Sequence, residues 1–395
     1  MKDKIAFVCQ RYGLEVNGGS ELYCRQLAEK LVQNYQVEVY TTCAEDYISW
    51  RNYYAPGDET LNGVVIHRFS VTRPRRQKQF NRISKKVLGS GGHSQKEERE
   101  WLEEQGPLCN ELLEELFKNK KNYKAIFFMT YLYYITAIGL PMGFENGILI
   151  PTVHDEAPVY LSHYDKVFDS ARGFVWNTQS EKLFALKRFS HIEQRPSIMA
   201  GIGVDIPQQP LPPLPQQLQD EEYLVYAGRI DESKGCGELF YCFQKYLERR
   251  PSCKLKLVLL GKAVMPVPNN ENIIPLGFVS NEMKFAIMGG AKALVLFSQF
   301  ESLSMVVLES MTMGRPVLVN GRCEVLREHC INSNAGLYFE SEQEFEAVLD
   351  YLMEHDKVYE IMCQNAVEYV QQNYRWETIL QRFQELIDLV SKNQE

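Results

Sequence analysis

Residues 207–215 read PQQPLPPLP, with five prolines in nine positions. A segment so rich in proline forms a stiff, extended linker, and it marks the clearest domain boundary in the chain. On both sides of it, short apolar runs typical of buried parallel strands alternate with helical patterns, from KIAFVCQ (4–10) to KALVLFS (292–298). The sequence therefore predicts an α/β fold with two Rossmann-like parallel-sheet domains that face each other across a cleft.

The linker also determines the predicted boundaries. We expect a first domain over 1–206, the linker over 207–220, a second domain over 221–375 and a final helix over 376–395. The length of 395 residues agrees with this division, because it favours two domains of ordinary size over one. Within the first domain, the aromatic segment SWRNYYAPG (49–57) is interpreted as a loop.

The composition points to a reducing compartment. The ten cysteines form no CxxC pair and have no regular spacing, which argues against both a disulfide framework and a zinc site. The start of the chain, MKDKIAFVCQRY, is charged and leads straight into a strand, so no signal peptide is predicted. No run approaches the roughly 18 apolar residues of a membrane-spanning helix. We expect a cytoplasmic protein.

One segment of the first half is strongly basic. Seven basic residues and no acidic residue lie between Arg73 and Lys86, and the acidic segment KEEREWLEEQ (96–105) follows. Two interpretations are open: the two segments pair with each other, or the basic one forms a face for an anionic acceptor or for the inner surface of a membrane. The second half carries almost all of the net charge of −8, so an anionic partner is expected only on the first half.

A second informative stretch is QFESLSMVVLESMTMGRPVLV (299–319), which contains two glutamates eight positions apart. Glu301 precedes a predicted helix for which Ser302 and Ser304 are candidate caps. Glu309 lies inside that apolar helix, where a carboxylate without a partner costs several kcal/mol of desolvation. The hydroxyl groups of a sugar or a ribose would satisfy it, and so would a backbone N–H group or an arginine.

Further polar residues follow predicted strands, where ligands bind in open α/β sheets. The turn Asn17-Gly18-Gly19 precedes a helix and lets the backbone approach a ligand, although such a turn is often only a turn. His154 and Asp155 end the apolar run 147–158, and a histidine there is as often a structural residue.

The loop after strand 223–227 carries two cations. Arg229 and Lys234 lie in YAGRIDESKG, beside a helix N-terminus, and this combination suits a diphosphate group. Taken alone, the two residues are ordinary surface cations. Their occurrence in the same domain as Glu301 and Glu309 favours the binding interpretation.

Taken together, four motifs resemble one family. NGGSE (17–21), HD (154–155), GRIDESKG (228–235) and the E-x7-E pair occur in the order found in retaining glycosyltransferases of family 4, which have the glycosyltransferase-B architecture. The aromatic and arginine-rich insertion at 46–107 further resembles bacterial members that build surface polysaccharides. The resemblance spans nearly the whole chain.

The resemblance implies roles for the reacting groups. Arg229 and Lys234 would hold the diphosphate of a nucleotide-sugar donor, and Glu301 would contact the transferred sugar. His154 would lie near that sugar, and Glu309 would bind the ribose hydroxyls. The final helix would cross back onto the first domain.

Two further sets of residues follow from the same resemblance. The implied donor-binding residues are Gly18, Gly19, Gly228, Ser302, Leu303, Ser304, Met305, Glu309, Gly277 and Phe278. The implied acceptor-side residues are Asp155, Arg75 and Arg76. The turn Gly261-Lys262-Ala263-Val264 departs from the family's glycine-rich turn, and Ser302 and Ser304 depart from the usual glycine or proline, so the sugar and the base stay open.

The implied reaction is a retaining sugar transfer, by a hexosyltransferase-type enzyme, to a glycan or lipid-linked acceptor. No two aspartates stand two positions apart, so the D-x-D metal motif is absent and no metal or cofactor is expected. A nucleic-acid partner is not expected either. Two alternatives are kept: a nucleotide-sugar epimerase or phosphorylase with the same fold, and a non-catalytic scaffold subunit of a glycan assembly complex.

Overall fold

The computed structural model describes residues 2–16 and 18–392, and the chain divides into two units. Unit 1 comprises Met1–Ile202 and Ile379–Glu395, and unit 2 comprises Gly203–Thr378. Each unit has its own largely parallel sheet, so the predicted α/β fold with two Rossmann-like domains is confirmed. The proline-rich linker is part of unit 2, in which its residue Leu218 is buried.

The described part of unit 1 contains eight strands, numbered along the chain: β1 (Lys4–Val8), β2 (Gln36–Thr42), β3 (Gly57–Leu61), β4 (Val64–Phe69), β5 (Ala125–Met129), β6 (Gly147–Ile150), β7 (Gly173–Trp176) and β8 (Ser197–Met199). Their order across the sheet is β3-β4-β2-β1-β5-β6-β7-β8. Only β3 pairs antiparallel, with β4. The sequence analysis missed this edge strand because its residues GDETL are polar and mostly exposed, unlike those of a buried strand.

The helices of unit 1 lie between these strands along the chain: α1 (Gly19–Leu31), α2 (Gln77–Val87), α3 (Gln95–Gln105), α4 (Asn110–Asn119), α5 (Tyr134–Gly139), α6 (Ser162–Ser170) and α7 (Gln179–Arg188). The segment after β4 forms α2 and α3, which contact each other. Ser94 begins α3 with a capping box, in which its side chain accepts from the N–H of Glu97 and the Glu97 side chain accepts from the N–H of Ser94.

Unit 2 contains six described strands: β9 (Tyr223–Ala227), β10 (Lys256–Leu260), β11 (Ile273–Gly277), β12 (Ala293–Leu296), β13 (Val317–Asn320) and β14 (Gly336–Phe339). They are all parallel, in the order β11-β10-β9-β12-β13-β14. The helices are α8 (Cys236–Arg249), α9 (Asn281–Gly290), α10 (Met305–Thr312), α11 (Glu324–Ser333), α12 (Glu342–Glu354) and α13 (Asp356–Asn373). The central strands β9 (YLVYA) and β10 (KLVLL) are buried and apolar except for Lys256 at the start of β10, as expected for strands covered on both faces.

The last helix, α14 (Trp376–Lys392), follows unit 2 in the chain, but from Ile379 onward it belongs to unit 1. Ile379, Leu386, Ile387 and Val390 of this helix are almost completely buried, as is Phe383, whose ring lies 5.6 Å from that of Phe127 in β5. Arg382 donates to the carbonyl oxygen of Met199 in β8 over 3.0 Å. This helix is therefore part of the core of unit 1.

Both sheets reverse their strand order at one point. In unit 1 the chain leaves β1 through β2 and β4, then restarts at β5 on the other side of β1. In unit 2 it leaves β9 through β10 and β11, then restarts at β12 on the other side of β9. In open parallel sheets, ligands bind at the carboxyl ends of the strands beside such a reversal. The loops after β9 and β12 in unit 2, and those after β1 and β5 in unit 1, are therefore candidate sites, and the loop after β6 follows the strand next to β5.

Candidate active site

The carboxyl end of β9 is closely packed against the next strand. The N–H of Gly228 donates to the carbonyl oxygen of Leu260 over 2.9 Å. A Cβ atom at Gly261 would lie 2.0 Å from the carbonyl oxygen of Gly228, and the φ of Gly261 is +132°. A glycine is therefore required at 261, even though the turn that it opens departs from the family's glycine-rich turn.

Arg229 is oriented by a short acidic turn. Its guanidinium forms an ion pair with Asp231, whose other carboxylate oxygen accepts from the hydroxyl of Ser233 and from the N–H of Lys234. Burial alone would raise the pKa of Asp231, but the bond from Ser233 and the cation of Arg229 hold it below its usual value. Asp231 thus stays ionised and holds the guanidinium of Arg229 and the backbone N–H of Lys234.

Lys234 reaches the neighbouring strand end. Its Nζ atom lies 2.7 Å from Oε1 of Glu301, in the loop that follows β12. The next residue, Gly235, has a φ of +71°, and a Cβ atom there would come within 2.3 Å of the carbonyl oxygen of Phe297. Two residues that the sequence analysis assigned to one site are therefore in direct contact, on the two strands that flank the reversal of unit 2.

The backbone between Glu301 and α10 has an unusual conformation. Ser304 has a φ of +60° and stands at the N-cap position of α10 without forming a side-chain cap. The prediction that Ser302 or Ser304 caps this helix is therefore wrong, because a left-handed residue does not aim its hydroxyl at the first N–H groups of the helix.

A buried histidine holds this same backbone. His329 of α11 donates from Nε2 to the carbonyl oxygen of Leu303 over 2.7 Å, and its Nδ1 accepts from the hydroxyl of Tyr369 over 3.1 Å. Burial lowers the pKa of His329, so the ring stays neutral with one donor and one acceptor nitrogen. Sequence reasoning missed His329. A single histidine in the mixed polar and apolar helix EVLREHCINS was the available signal, and it does not reveal the partner.

Glu309 lies one turn into α10, and only 9% of it is exposed. Its Oε1 atom is 2.6 Å from Nζ of Lys284 in α9. The protein partner is therefore a lysine, whereas the sequence analysis considered a backbone N–H group or an arginine. Within the described residues, Oε2 of Glu309 is buried and has no hydrogen-bond partner.

Two of the implied donor-binding residues, Gly277 and Phe278, lie at the end of β11. Gly277 has a φ of +67° with open space where a side chain would be, and its carbonyl oxygen accepts from the N–H of Gly261 over 2.8 Å. Phe278 is 68% exposed. The end of β11 is thus hydrogen-bonded to the turn after β10, and the ring of Phe278 beside it is exposed to solvent.

In unit 1, the turn before α1 is built around a buried ion pair. Arg11 and Glu21 lie 2.6 Å apart and are both almost completely buried. A Cβ atom at Gly18 would lie 2.2 Å from Oε2 of Glu21, whereas Gly19 faces open space. The first residue of the NGGSE motif, Asn17, lies outside the described residues. The glycine at 18 makes room for the ion pair, and the one at 19 leaves the helix N-terminus open.

His154 and Asp155 follow β6 in a loop that a buried carboxylate fixes. Nε2 of His154 lies 3.7 Å from Oε2 of Glu156, and Asp155 accepts from the hydroxyl of Tyr160 over 2.7 Å. Glu181 accepts from the N–H of Val153 over 2.8 Å. Burial raises the pKa of Glu181 to about 8, although backbone N–H groups act in the opposite direction. Glu181 was not identified from the sequence. It lies in the first turn of α7, and the sequence does not show that its carboxylate accepts from Val153 after β6 and from Asn177 after β7.

The structure gives Arg75 and Arg76 scaffold contacts. The guanidinium of Arg75 donates to the carbonyl oxygens of Glu104 and Gln105 and lies 4.5 Å from the ring of Phe80. Arg76 forms an ion pair with the fully buried carboxylate of Glu104. The acceptor-side role implied for Arg75, Arg76 and Asp155 stays a prediction.

The described part of the chain offers neither a metal-binding cluster nor a membrane-spanning helix. Over 2–16 and 18–392, no group of three His, Cys, Asp or Glu side chains could hold a metal ion. No helix in the same part of the chain is long and apolar enough to cross a membrane.

Comparisons with known proteins bear on the family and on the fold. Residues 214–369 match the family model described as glycosyl transferases group 1. An uncharacterized glycosyltransferase of Methanocaldococcus jannaschii is 24% identical, with 95% of both chains covered.

Solved structures share the fold over the whole chain. The E. coli trehalose-6-phosphate structure bound with UDP-2-fluoro glucose has a TM-score of 0.73 at 13% identity, covering 98% of this chain and 99% of that one. Sucrose-phosphate synthase of Thermosynechococcus elongatus gives 0.69 at 15%, and Anabaena HepE in complex with UDP and glucose gives 0.68 at 16%, with the same coverage. Residues 214–369 thus match a glycosyl transferases group 1 domain, and the chain has the glycosyltransferase-B fold of these solved structures.

Proposed function

We propose that this protein is a retaining, metal-independent glycosyltransferase. It moves a hexosyl unit from a nucleoside diphosphate sugar to a glycan or lipid-linked acceptor, in bacterial polysaccharide or glycoconjugate synthesis. The contact between Lys234 and Glu301 carries the proposal, because it places a cation and a carboxylate at adjacent strand ends beside the reversal of unit 2.

The leaving diphosphate is the first group that needs stabilisation. Breaking the sugar–phosphate bond develops negative charge on the diphosphate, which Arg229 binds through its planar fork and Lys234 meets as a point charge. Helix α8 begins immediately after Gly235, so its N-terminal N–H groups add positive potential at the same place. These groups supply the charge that a metal ion provides in other transferases.

The sugar and the nucleoside use the neighbouring loops. Glu301 and the backbone of Ser302–Met305 contact the transferred sugar, Glu309 accepts from the ribose, and Gly277 and Phe278 lie against the base. The complexes of structural relatives with UDP-2-fluoro glucose and with UDP support a nucleoside diphosphate donor. A thermal-shift screen over nucleoside diphosphates will identify the base of the donor.

Retention of configuration fits same-face attack. The acceptor hydroxyl attacks the anomeric carbon from the side that the diphosphate leaves, and a leaving phosphate oxygen takes the acceptor proton. In this scheme no carboxylate forms a bond to the sugar, and Glu301 is kept in its ion pair with Lys234. The residues His154, Asp155, Gly18 and Gly19 of unit 1 are assigned to the sugar and acceptor.

The central test uses substitutions in unit 2. Replacing Arg229 or Glu309 by alanine should lower kcat/KM by about 100-fold or more, since each removes a charged contact to the donor. Arg249→Ala is the matched control, because Arg249 forms half-exposed ion pairs with Glu342 and Glu346 in the same unit. Full activity of both site variants, with each protein folded, would contradict the proposal. Turnover that persists unchanged in EDTA is also expected.

Donor and reaction type are settled by two further measurements. A thermal-shift screen over nucleoside diphosphates and their sugars should name the donor, because a ligand that binds the native state raises the melting temperature. Product analysis with a labelled donor then separates transfer from its alternatives. A free epimer or a sugar 1-phosphate formed without acceptor would favour the epimerase or phosphorylase, and no stabilisation by any nucleotide would favour a scaffold subunit.

We further propose that unit 1 associates with an anionic membrane surface through α2. Lys78, Arg82 and Lys85 are exposed and spaced four and three residues apart, so they lie on one face of that helix.

A further inference from the structure

The ion pair between Glu309 and Lys284 uses only half of the carboxylate. Nζ of Lys284 lies 2.6 Å from Oε1 of Glu309, and the two side chains are 22% and 11% exposed. Oε2 of the same carboxylate is buried and, among the described residues, accepts no hydrogen bond. A buried charged oxygen without a donor is unfavourable unless a ligand or a water molecule completes it.

The lysine comes from a separate element. Lys284 lies in α9, the helix between β11 and β12, and Glu309 lies in α10 after β12. Helices α9 and α10 pack against each other, so the relative position of the two charges is set by the packing of unit 2. The lysine also offsets the cost of burying the carboxylate, which otherwise would be large.

We propose that Lys284 is a positioning residue for donor binding. It holds Oε1 of Glu309 and thereby presents Oε2 as the single acceptor for one ribose hydroxyl of the nucleoside diphosphate. This inference rests on the proposed function, since it assigns a partner to the ribose-binding carboxylate. The proposal also accounts for the difference between the two carboxylate oxygens of Glu309: Oε1 pairs with Lys284, whereas Oε2 has no partner among the described residues.

The proposal predicts a coupling between a side chain and a ligand hydroxyl. Affinity is measured by calorimetry for UDP, GDP and ADP and for the 2′-deoxy and 3′-deoxy forms of the tightest binder. With the unmodified protein, one deoxy form should bind about 10-fold more weakly, as expected for a lost hydrogen bond to a charged group. In Lys284→Met this penalty should largely disappear, and in Lys284→Arg most of it should return.

The same variants separate positioning from a merely structural role. Lys284→Met should raise KM for the donor more than it lowers kcat, because the contact serves binding rather than the chemical step. Lys245→Met is the control, since Lys245 forms an exposed pair with Glu248 in the same unit and should leave the deoxy penalty unchanged. If Lys284→Met does not fold, Lys284→Ala replaces it, because alanine likewise leaves Oε1 of Glu309 without a donor and should lose the same deoxy penalty.

The outcomes distinguish the two levels of inference. If the unmodified protein binds none of the three nucleotides and no other nucleoside diphosphate of the donor screen, the proposed function fails and this inference fails with it. If it binds one of them and Lys284→Met keeps the full deoxy penalty, Lys284 has no positioning role while the proposed function stands. Loss of the penalty in Lys284→Met, with recovery in Lys284→Arg, supports both.

Discussion

Ser304 is a residue at which local strain and a candidate site coincide. Its φ of +60° is unfavourable for any residue with a side chain, and its buried hydroxyl has no partner among the described residues. The bond from His329 to the carbonyl oxygen of Leu303 holds the adjoining backbone in place. Ser304 lies in the segment between Glu301 and Glu309, and the backbone of this segment is proposed to contact the donor sugar.

Replacing Ser304 by glycine should stabilise unit 2 by about 1 kcal/mol, because glycine adopts this conformation without strain. Ser304→Val should destabilise it, since a β-branched residue is least tolerant of positive φ. Hydrogen exchange of the unit 2 strands measures both changes. Ser302→Gly is the control, because Ser302 has no positive φ and glycine there only adds unfolded-state entropy. A loss of protection in Ser304→Gly would show that the hydroxyl, not the strain, dominates.

At the scale of elements, helices α2 and α3 reconcile the two interpretations of the basic segment. Lys86 pairs with Glu97, and Arg73 and Arg76 both pair with the buried Glu104, so the basic and acidic segments do pair. Ile83 and Val87 are buried on the other side of α2. The exposed face of the helix nevertheless keeps the cations Lys78, Arg82 and Lys85, although Arg82 also lies 3.9 Å from the half-exposed Glu100, and the membrane proposal depends on these three residues.

The triple variant Lys78→Gln, Arg82→Gln, Lys85→Gln should bind phosphatidylserine vesicles roughly 100-fold more weakly at low salt, since each cation near such a surface contributes about 1 kcal/mol. Sedimentation with vesicles at two salt concentrations measures this. A second triple variant, with glutamine at the exposed Lys118, Lys121 and Lys166, is the charge-matched control. Failure of the unmodified protein to sediment at low salt would remove the membrane proposal.

The elements also show what the sequence could and could not predict. Apolar runs identified the buried strands, and the E-x7-E spacing led to the loop that meets Lys234, because both signals are local. The edge strand β3 was missed, since GDETL lacks the apolar residues of a buried strand, and the pairing of Asp58 and Glu59 with His67 and Arg68 of β4 is not visible in a local pattern. Lys284 and His329 were missed because a partner on another helix is fixed by tertiary packing. The cap at Ser304 was wrong because φ is not visible in a sequence.

At the scale of the whole molecule, α14 determines the integrity of unit 1. Phe383 is fully buried against the ring of Phe127, whereas Leu389 on the same helix is 50% exposed. The contacts of this helix extend to β8 through Arg382 and to Lys124 through Asp388, over 2.8 Å. Unit 1 is thus built from two segments that are separated in sequence by all of unit 2.

Phe383→Ala should destabilise unit 1 by about 3–5 kcal/mol, as is usual for removing a buried aromatic side chain. Leu389→Ala should change stability by less than about 0.5 kcal/mol, because that side chain is already half in water. Hydrogen exchange resolved over the strands of both units measures the effect. The loss should be confined to unit 1, and equal loss in both units, or none, would contradict the assignment of α14.

The division of unit 1 has a consequence for how the chain is made. A ribosome produces the strands of unit 1 first, but the side chains that complete their core come from α14, after every residue of unit 2 has been added. Domains generally fold in order of synthesis, starting from the N-terminal one. Here the order is inverted: unit 2 has all its residues while unit 1 still lacks a helix. The first-made strands must therefore remain incompletely packed throughout the synthesis of unit 2, and that interval is when they are most exposed to aggregation.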